Sequence, residues 1–341
     1  MDKLLNNEFL NLLLIHDDVE DDEPSTWIRF HVSHEAYSFF KVLTSSMESQ
    51  LRTDNIHFLK ELISYLPHEV KVESVKEWFK PRSRMPVTAV VSLLRIKQEM
   101  LGESEEEIVN VAAQIIPKMK YFCSSRNSEV LTRLPCRLFD DLLYLVGVIA
   151  GDGSLSRKQK RNRWEYPLVI EKANEVYIRD IYVPFLERIF NVKLRLKANT
   201  KVGRQPTWRA EVGSKPIHRY LTRLFDFPEG KKAGKLRIPQ IIRSLSPIHQ
   251  LPYFAGLVDT DFGSLGAGMG ITTASPRLVE DLSDFLSNIG VETRKYEYFK
   301  DKKFRMYQLV VPNKYVGTLV RVMMQTYAFK NPKRNKFISR G

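Results

Sequence analysis

The chain has 341 residues, 43% of them hydrophobic, which is enough for two or three domains with ordinary buried cores. Its 53 lysines and arginines outnumber 40 acidic residues, and its two cysteines follow no metal-binding or disulfide spacing. The composition excludes a disulfide-rich secreted scaffold and fits a reducing cytoplasm. The apolar run Leu10 to Ile15 is too short for a membrane span and is followed by acids, so neither a membrane segment nor a targeting segment is predicted.

The net charge of +13 is unevenly distributed. Residues 1–134 contain 16 lysines and arginines against 21 acids, and residues 135–341 contain the other 37 against 19. The two parts therefore carry about −5 and +18. A strongly basic second part suits a polyanion such as DNA or RNA, because neutralised phosphates release counterions. On charge alone, a generally basic soluble surface remains the alternative.

The first 134 residues are predicted to form a mainly helical domain. Amphipathic helices are predicted at Ile56 to Leu66, Val72 to Phe79, Pro86 to Leu94 and Glu105 to Ile115. Ser104 is the predicted N-cap of the last helix, with Glu107 completing a capping box. The runs Met119 to Phe122 and Val130 to Arg133 flank a polar turn and predict a small hairpin.

This order of elements is typical of a winged helix-turn-helix domain. In that interpretation Pro86 to Leu94 is a recognition helix, with Arg82 and Arg84 on the phosphates at its start. A helical domain that serves protein contacts, or that packs on the rest of the chain, is the alternative.

An internal duplication organises the second part. Leu145 to Ser154 read LVGVIAGDGS, and Phe254 to Ser264 read FAGLVDTDFGS, which places Asp152 and Asp261 109 residues apart. Each run is followed by patterns for two strands, a helix, two strands and a final helix. The predicted fold is α+β, with tandem α-β-β-α-β-β-α repeats at residues 135–245 and 246–341 after the domain of residues 1–134.

Small residues recur four apart in both runs. Gly147 and Gly151 in the first, and Gly256 and Thr260 in the second, give each predicted helix a stripe without bulky side chains. Two such helices can pack closely along these stripes.

The acids that follow the stripes have a chemical consequence. If the helices pair about a pseudo-twofold axis, Asp152 and Asp261 arrive side by side, which is costly unless a positive charge lies between them. A divalent metal ion such as Mg²⁺ suits oxygen ligands and can activate water beside a phosphate. The alternative is that each aspartate only ends its helix.

The two runs resemble the paired motifs of single-chain LAGLIDADG homing endonucleases, and the resemblance covers roughly residues 135–341. It implies a pseudo-twofold saddle of antiparallel sheets lying in the DNA major groove, and double-strand cleavage with Mg²⁺ or Mn²⁺ held by Asp152 and Asp261. It also implies a monomer that binds a long, non-palindromic duplex site, no membrane partner, and a role in intron homing. The expected location is the cytoplasm, with the nucleoid, or an organelle.

The family also places a lysine near each metal site. Before the second motif, the run Gly230 to Pro239 supplies Lys232 or Lys235, and the resemblance does not decide between them. In the second half Lys330 is the matching residue, with Lys333 as the alternative.

Basic residues on the predicted strands and turns would contact DNA, because alternate positions of a saddle face the groove. In the first half they are Arg157, Lys158, Lys160, Arg161, Arg163, Arg195, Lys197, Arg204 and Arg209. In the second half they are Arg294, Lys300, Lys302, Lys303 and Arg305.

Three positions depart from the family pattern. Ala150 stands where the second motif has Asp259, and Phe262 stands where the closing glycine is expected, either replacing it or inserted before Gly263. The first hairpin of the second half, Ser264 to Gly270, is short and lacks basic residues, so recognition is predicted to be unequal between the halves.

These features favour a site-specific DNA endonuclease. Two other functions remain open: a transcriptional regulator that binds DNA without cleaving it, and an intron RNA maturase. A pure binding protein has little reason to keep two mutually repelling carboxylates, which favours the endonuclease.

Overall fold

The computed structural model describes residues 3–5, 9–17, 27–124, 131–160, 163–173, 175–200, 206–266, 268–301 and 303–326. By its internal contacts the chain forms two units. The N-terminal unit consists of Met1–Leu138, Arg188–Val192 and Ser214–Leu224, and the motif unit consists of Phe139–Glu187, Lys193–Gly213 and Phe225–Gly341.

The N-terminal unit contains helices packed with a small antiparallel sheet. Its elements up to residue 133 are β1 (Leu4–Leu5), β2 (Phe9–Leu10), β3 (Arg29–His31), α1 (His34–Leu51), α2 (Asn55–Ser64), α3 (Val72–Trp78), β4 (Arg84–Pro86), α4 (Val87–Glu99), α5 (Glu105–Ile115), β5 (Tyr121–Cys123) and β6 (Thr132–Arg133). The sheet order is β4-β3-β5-β6. Phe30 in β3 packs against Phe40 and Phe122, so the sheet and α1 share one aromatic core.

Two local predictions for this region are confirmed. The hydroxyl of Ser104 accepts the backbone N–H of Glu107 at 3.3 Å, and the Glu107 carboxylate accepts the backbone N–H of Ser104 at 2.8 Å, which is the predicted capping box. The predicted hairpin is formed by β5 and β6, whose strands pair antiparallel.

Helix α4 cannot be the predicted recognition helix. It begins at Val87, and every side chain from Val87 to Leu94 is buried. A recognition helix must present one polar face to base edges in the major groove. The assignment of Pro86 to Leu94 to that role is therefore wrong, because the apolar run that suggested a helix fills a core.

Part of the first predicted repeat is built into the N-terminal unit. The helix Lys215–Arg219 continues as a π-helical turn at Tyr220–Leu224. Lys215 forms an ion pair of 2.5 Å with Asp17, and these side chains are 2% and 0% exposed. The Tyr220 hydroxyl donates to the Pro135 carbonyl at 3.0 Å. Polar contacts therefore fix this segment in the unit.

The remaining elements include those of the predicted order, together with an extra strand pair and an extra short helix in the first repeat. They are α6 (Asp140–Asp152), β7 (Gly153–Leu155), β8 (Lys158–Lys160), β9 (Arg163–Glu165), β10 (Pro167–Lys172), α7 (Glu175–Tyr177), α8 (Val183–Phe190), β11 (Arg195–Asn199), β12 (Thr207–Gly213), α9 (Lys215–Arg219), α10 (Gln240–Arg243), α11 (Pro247–Thr260), β13 (Gly263–Ser264), β14 (Gly268–Thr273), α12 (Pro276–Asn288), β15 (Arg294–Lys300), β16 (Phe304–Pro312) and α13 (Asn313–Thr326). A π-helical turn, Ile178–Tyr182, joins α7 to α8.

The two sheets of the motif unit have the same topology, which confirms the duplication and the α+β fold. The first has the order β11-β12-β10-β7, and the second β13-β14-β16-β15. If the strands of each four-stranded sheet are numbered one to four along the chain, both sheets have the order one-two-four-three. All these neighbours pair antiparallel.

The repeats differ in their first hairpin. In the first repeat β8 and β9 form a separate two-stranded ribbon between β7 and β10, so this hairpin contains two strands more than the predicted pair. In the second repeat a short turn joins β13 to β14. Among the described residues, none of the helices combines the length and the hydrophobicity that a membrane span requires.

Candidate functional site

The motif helices α6 and α11 pack against each other along their glycines. A Cβ atom on Gly147 would overlap the carbonyl oxygen of Tyr253 and lie 3.1 Å from the Cα of Gly256. A Cβ atom on Gly256 would overlap the carbonyl oxygen of Tyr144 and lie 2.8 Å from the backbone nitrogen of Val148. These two glycines therefore permit the backbones to touch.

The close approach brings the two motif aspartates to one end of the helix pair. A Cβ atom on Gly151 would overlap the side chain of Thr260 and lie 3.4 Å from the carboxyl carbon of Asp261. Asp152 is the last residue of α6, and Asp261 caps α11. The carboxyl group of one motif thus lies beside the final turn of the other.

A lysine that the sequence reasoning missed contacts this end of the helices. The Lys172 ammonium donates to Oδ2 of Asp152 and to the Thr260 carbonyl at 3.4 Å. The side chains of Lys172 and Asp152 are 18% and 17% exposed, so this ion pair is largely shielded from water. Strand alternation was the available signal, because Leu168, Ile170 and Lys172 share the face of β10 that packs inward.

Lys232 lies at the end of α6. Its ammonium donates to the Ala150 carbonyl at 2.6 Å and to the Gly151 carbonyl. Burial lowers the pKa of Lys232, while the negative charges of Asp261 and Asp152 act in the opposite direction. Both motif aspartates therefore stabilise the charged form of Lys232.

The other lysines of the sequence prediction are placed differently. Lys235, the alternative to Lys232, is exposed, and its backbone N–H donates to the Lys232 carbonyl at 3.0 Å. Lys330 and Lys333 lie outside the described residues.

The groups that meet at the helix ends suit a hard cation. They are the carboxylates of Asp152 and Asp261, since the carbonyl oxygens of Ala150, Gly151 and Thr260 accept hydrogen bonds from Lys232 and Lys172. Among the described residues, no group of three or more His, Cys, Asp and Glu side chains could hold a metal ion. Mg²⁺ is commonly held by one or two carboxylates together with substrate phosphates and water. The oxygen donors therefore fit Mg²⁺ or Mn²⁺ if a phosphate completes the ligands.

The departure at Phe262 is an insertion in the structure. Gly263 begins β13 as Gly153 begins β7, and Phe262 lies between the motif aspartate and that strand. The Phe262 side chain is buried and packs edge-on against Phe254, with ring centroids 5.3 Å apart. The extra residue therefore contributes to the core and leaves Asp261 at the helix end.

The first sheet gathers three of the predicted DNA-binding residues on one face. The inward face includes Leu168, Ile170 and Ala210, which are buried. Strand register places a mixed set of basic, acidic and polar side chains on the opposite face: Arg195, Lys197, Asn199, Arg209, Glu171, Glu211 and Thr207.

The acids of this face are held by their neighbours. Glu211 forms an ion pair with Arg209 at 3.0 Å. Glu171 accepts hydrogen bonds from the amide of Asn199 at 2.9 Å and from Thr207. The face therefore presents a network of donors and acceptors.

The hairpin ribbon carries the other cations of the first half. The Arg157 guanidinium lies 4.1 Å from the ring centroid of Trp164 and 5.9 Å from that of Tyr166, so the ribbon holds it by cation–π contacts. Lys158 is exposed. Lys160 and Arg163 are opposite each other in the strand register at the end of the ribbon.

The second sheet divides its predicted residues between two faces. Register places Arg294 and Lys300 on the face opposite the buried Leu309. Arg305 lies on the Leu309 side, where it forms an ion pair with Glu297. Arg305 is therefore separated from the other two cations.

The structure describes one of the remaining predicted cations. Lys303 is exposed in the turn between β15 and β16. Arg161, Arg204 and Lys302 lie outside the described residues.

Comparison with known proteins finds relatives for part of the chain. Homing endonuclease I-DmoI of Desulfurococcus mucosus is 26% identical over 168 residues, which is 49% of this chain and 78% of that protein. The solved structure of I-DmoI with DNA and Ca aligns with 58% of this chain and 96% of its own, at 21% identity and a TM-score of 0.47. The sequence match supports the predicted resemblance to the LAGLIDADG endonucleases.

Two further relatives are much longer than the matched region. A probable translation initiation factor IF-2 of Thermococcus kodakarensis is 26% identical over 46% of this chain and 12% of its own length. A SufBD-family iron–sulfur cluster assembly protein of Mycobacterium leprae is 31% identical over 46% of this chain and 17% of its own length. The chain thus spans a small part of these two relatives. No protein-family model matches the chain.

Proposed function

The chain resembles a homing endonuclease in sequence and carries the paired motif helices, and we propose that it is a site-specific, metal-dependent double-strand DNA endonuclease. The observation that carries this proposal is the meeting of Asp152 and Asp261 at one end of two helices in backbone contact. A structural protein gains nothing from two repelling carboxylates placed together, whereas a phosphodiesterase needs such a site for a cation.

The chain's own residues have distinct proposed roles at the scissile phosphates. Asp152 and Asp261 hold Mg²⁺ or Mn²⁺, which when bound supplies activation of water and stabilisation of the leaving oxygen. Lys172, which contacts Asp152, balances charge on the phosphate. Lys232 fixes the end of α6 through two carbonyl oxygens and keeps a positive charge near both aspartates.

The sheets supply the proposed DNA contacts. The outward faces of the two four-stranded sheets lie as a saddle in the major groove of a long, non-palindromic site bound by one copy of the chain. The basic residues of the first sheet and of the β8–β9 ribbon position the duplex. The proposed location is wherever that DNA is found, in the cytoplasm with the nucleoid or in an organelle.

The alternative of a regulator without cleavage loses two of its supports. Phe262 suggested a damaged second motif, but its side chain fills the core and the glycine is kept as Gly263. The buried helix α4 removes the second support, because it cannot read bases.

Cleavage can be tested on a library that contains many possible target sequences. A plasmid library of random 30-base-pair inserts is incubated with the full chain and Mg²⁺, and the linearised molecules are sequenced. We expect linearised plasmids to share one asymmetric sequence. Asp152→Asn and Asp261→Asn should bind that sequence and leave it intact in Mg²⁺ and in Mn²⁺. Tight binding of one sequence by the unaltered chain, without strand breaks in either metal, would refute the endonuclease and favour the regulator.

A further inference from the structure

The outward face of the second sheet has an unusual surface. Its exposed large side chains include Tyr296, Tyr298 and Phe304, which are 49%, 38% and 63% exposed. Strand register places all three on one face with Met306, because Tyr298 pairs with Met306 and Phe304 pairs with Lys300. We call this set of four the aromatic face. Aromatic groups clustered in water are typical of a binding surface.

The charge around the aromatic face matches a polyanion. Register places Arg294 and Lys300 on the same face. Glu297 of β15 is on the opposite face, paired with Arg305. Among the described residues of β14, β15 and β16, this face carries no carboxylate. A partner that is negatively charged and has apolar groups within reach fits this combination.

The corresponding face of the first sheet has different chemistry. It carries the carboxylates Glu171 and Glu211, each held by hydrogen bonds or an ion pair, between arginine, lysine and asparagine side chains. Such groups read base edges by donating and accepting hydrogen bonds. Phe304 and Met306 offer no such donors, and the rings of Tyr296 and Tyr298 present apolar surface beside their hydroxyl groups. Gln308 and Thr272 lie on the same face, where the Gln308 amide donates to the Thr272 hydroxyl at 3.2 Å. The apolar feature of a base pair in the major groove is the C5-methyl group of thymine.

We propose that the two sheets read their half-sites by different means: the first by hydrogen bonds, and the second by packing the aromatic face against thymine methyl groups. This inference rests on the proposed function, since it takes duplex DNA as the occupant of both faces. It predicts that one half of the recognition sequence is rich in A·T pairs whose methyl groups are required. Arg294 and Lys300 would hold the phosphates beside that half.

The test uses the full chain without divalent metal. Immobilised protein selects a sequence from random 30-base-pair duplexes, and its affinity is then measured with deoxyuridine in place of thymidine in one half, in the other half, or in both. Each lost methyl contact should weaken binding about fourfold, the equivalent of one buried methylene group. We expect the loss in one half only.

A matched pair of variants assigns the effect to the sheet. Phe304 and Phe299 are both 63% exposed, but Phe299 lies on the opposite face of the second sheet. Phe304→Ser should abolish the discrimination between thymidine and deoxyuridine, and Phe299→Ser should preserve it. Circular dichroism checks that both variants fold.

The outcomes separate the two proposals. If no sequence is enriched, the proposed DNA-binding function itself fails. If a sequence is enriched but deoxyuridine has no effect, or acts equally in both halves, the thymine proposal is overturned. If Phe304→Ser keeps the discrimination, or instead converts a dimer into a monomer in sedimentation velocity, the aromatic face has another role and the proposal also fails.

Discussion

The buried phenol of Tyr144 on α6 donates a hydrogen bond of 2.8 Å to Oδ2 of the buried Asp259 on α11. Tyr253 is the repeat counterpart of Tyr144, and Ala150 is the counterpart of Asp259. The Tyr253 hydroxyl is buried and has no hydrogen-bond partner among the described residues. The helix pair is therefore symmetric in its backbone contacts and asymmetric in its polar ones.

This asymmetry predicts opposite effects for two equivalent substitutions. Tyr144→Phe removes a donor from the buried Asp259 carboxylate and should lower the free energy of unfolding by about 1–3 kcal/mol. Tyr253→Phe removes a hydroxyl that gains no hydrogen bond there, and should be neutral or slightly stabilising. Urea denaturation of the two variants measures both values. Equal losses would contradict the assigned hydrogen bond.

The glycine contact predicts a large steric effect. Gly147→Ala and Gly256→Ala each place a methyl group on a backbone carbonyl of the facing helix, so each should destabilise the protein by about 1–3 kcal/mol. Gly317→Ala is the matched control, because a Cβ atom at this position in helix α13 meets nothing within 4 Å. It should stabilise the protein by up to about 1 kcal/mol. Thermal melts followed by circular dichroism compare the three.

Lys172 should matter for cleavage more than for binding. Lys172→Met leaves Asp152 without its ammonium partner and should slow single-turnover cleavage about 100-fold. Lys172→Arg should recover part of the rate because it keeps the charge. The exposed Lys231→Met is the control and should cleave at the normal rate. A Lys172→Met protein that cleaves normally at saturating DNA would remove this residue from the site.

The run Gly230 to Pro239 offers a direct comparison of two lysines, Lys232 and Lys235. Lys232→Met removes the donor to the Ala150 and Gly151 carbonyls, so it should lower both the cleavage rate and the melting temperature. Lys235 is exposed, so Lys235→Met should change neither. Single-turnover rates are measured well below the melting temperature, so that stability and catalysis are read separately. The reverse pattern would assign the role to Lys235.

The ion pair of Asp17 and Lys215 predicts that the free energy of unfolding depends strongly on both partners. Asp17→Leu leaves the nearly inaccessible Lys215 ammonium without this carboxylate and should cost about 3–5 kcal/mol of unfolding free energy. The double variant Asp17→Leu, Lys215→Met should cost much less, because a buried ion pair replaced by apolar groups is often tolerated. Denaturation of both single variants and the double variant gives the coupling. Additive losses would exclude the interaction.

The sequence predicted the elements that follow local rules. The period of the apolar residues located α3 at Val72–Trp78, and the Ser104 and Glu107 pair located the start of α5. The duplication predicted the shared sheet order. These features depend on neighbours in the chain, so a single sequence contains the information.

What the sequence did not predict depends on distant contacts. The apolar run of α4 is compatible with a recognition helix or with a core, and only its burial distinguishes them. Lys172 belongs to the site because β10 ends beside Asp152, which requires the register of the sheet. The identification of Phe262 as an inserted residue also requires the pairing of Gly263 with Gly270, which the sequence does not show.

The segment Ser214–Leu224 has a consequence for the order of folding during synthesis. The N-terminal unit lacks Lys215 and Tyr220 until the ribosome has passed residue 224, well after the first motif helix has emerged. Domains made of continuous sequence can fold one after another as they leave the ribosome. In this chain the N-terminal unit cannot complete its core until the second half of the first repeat has been made, because Asp17 has no Lys215 to pair with before then.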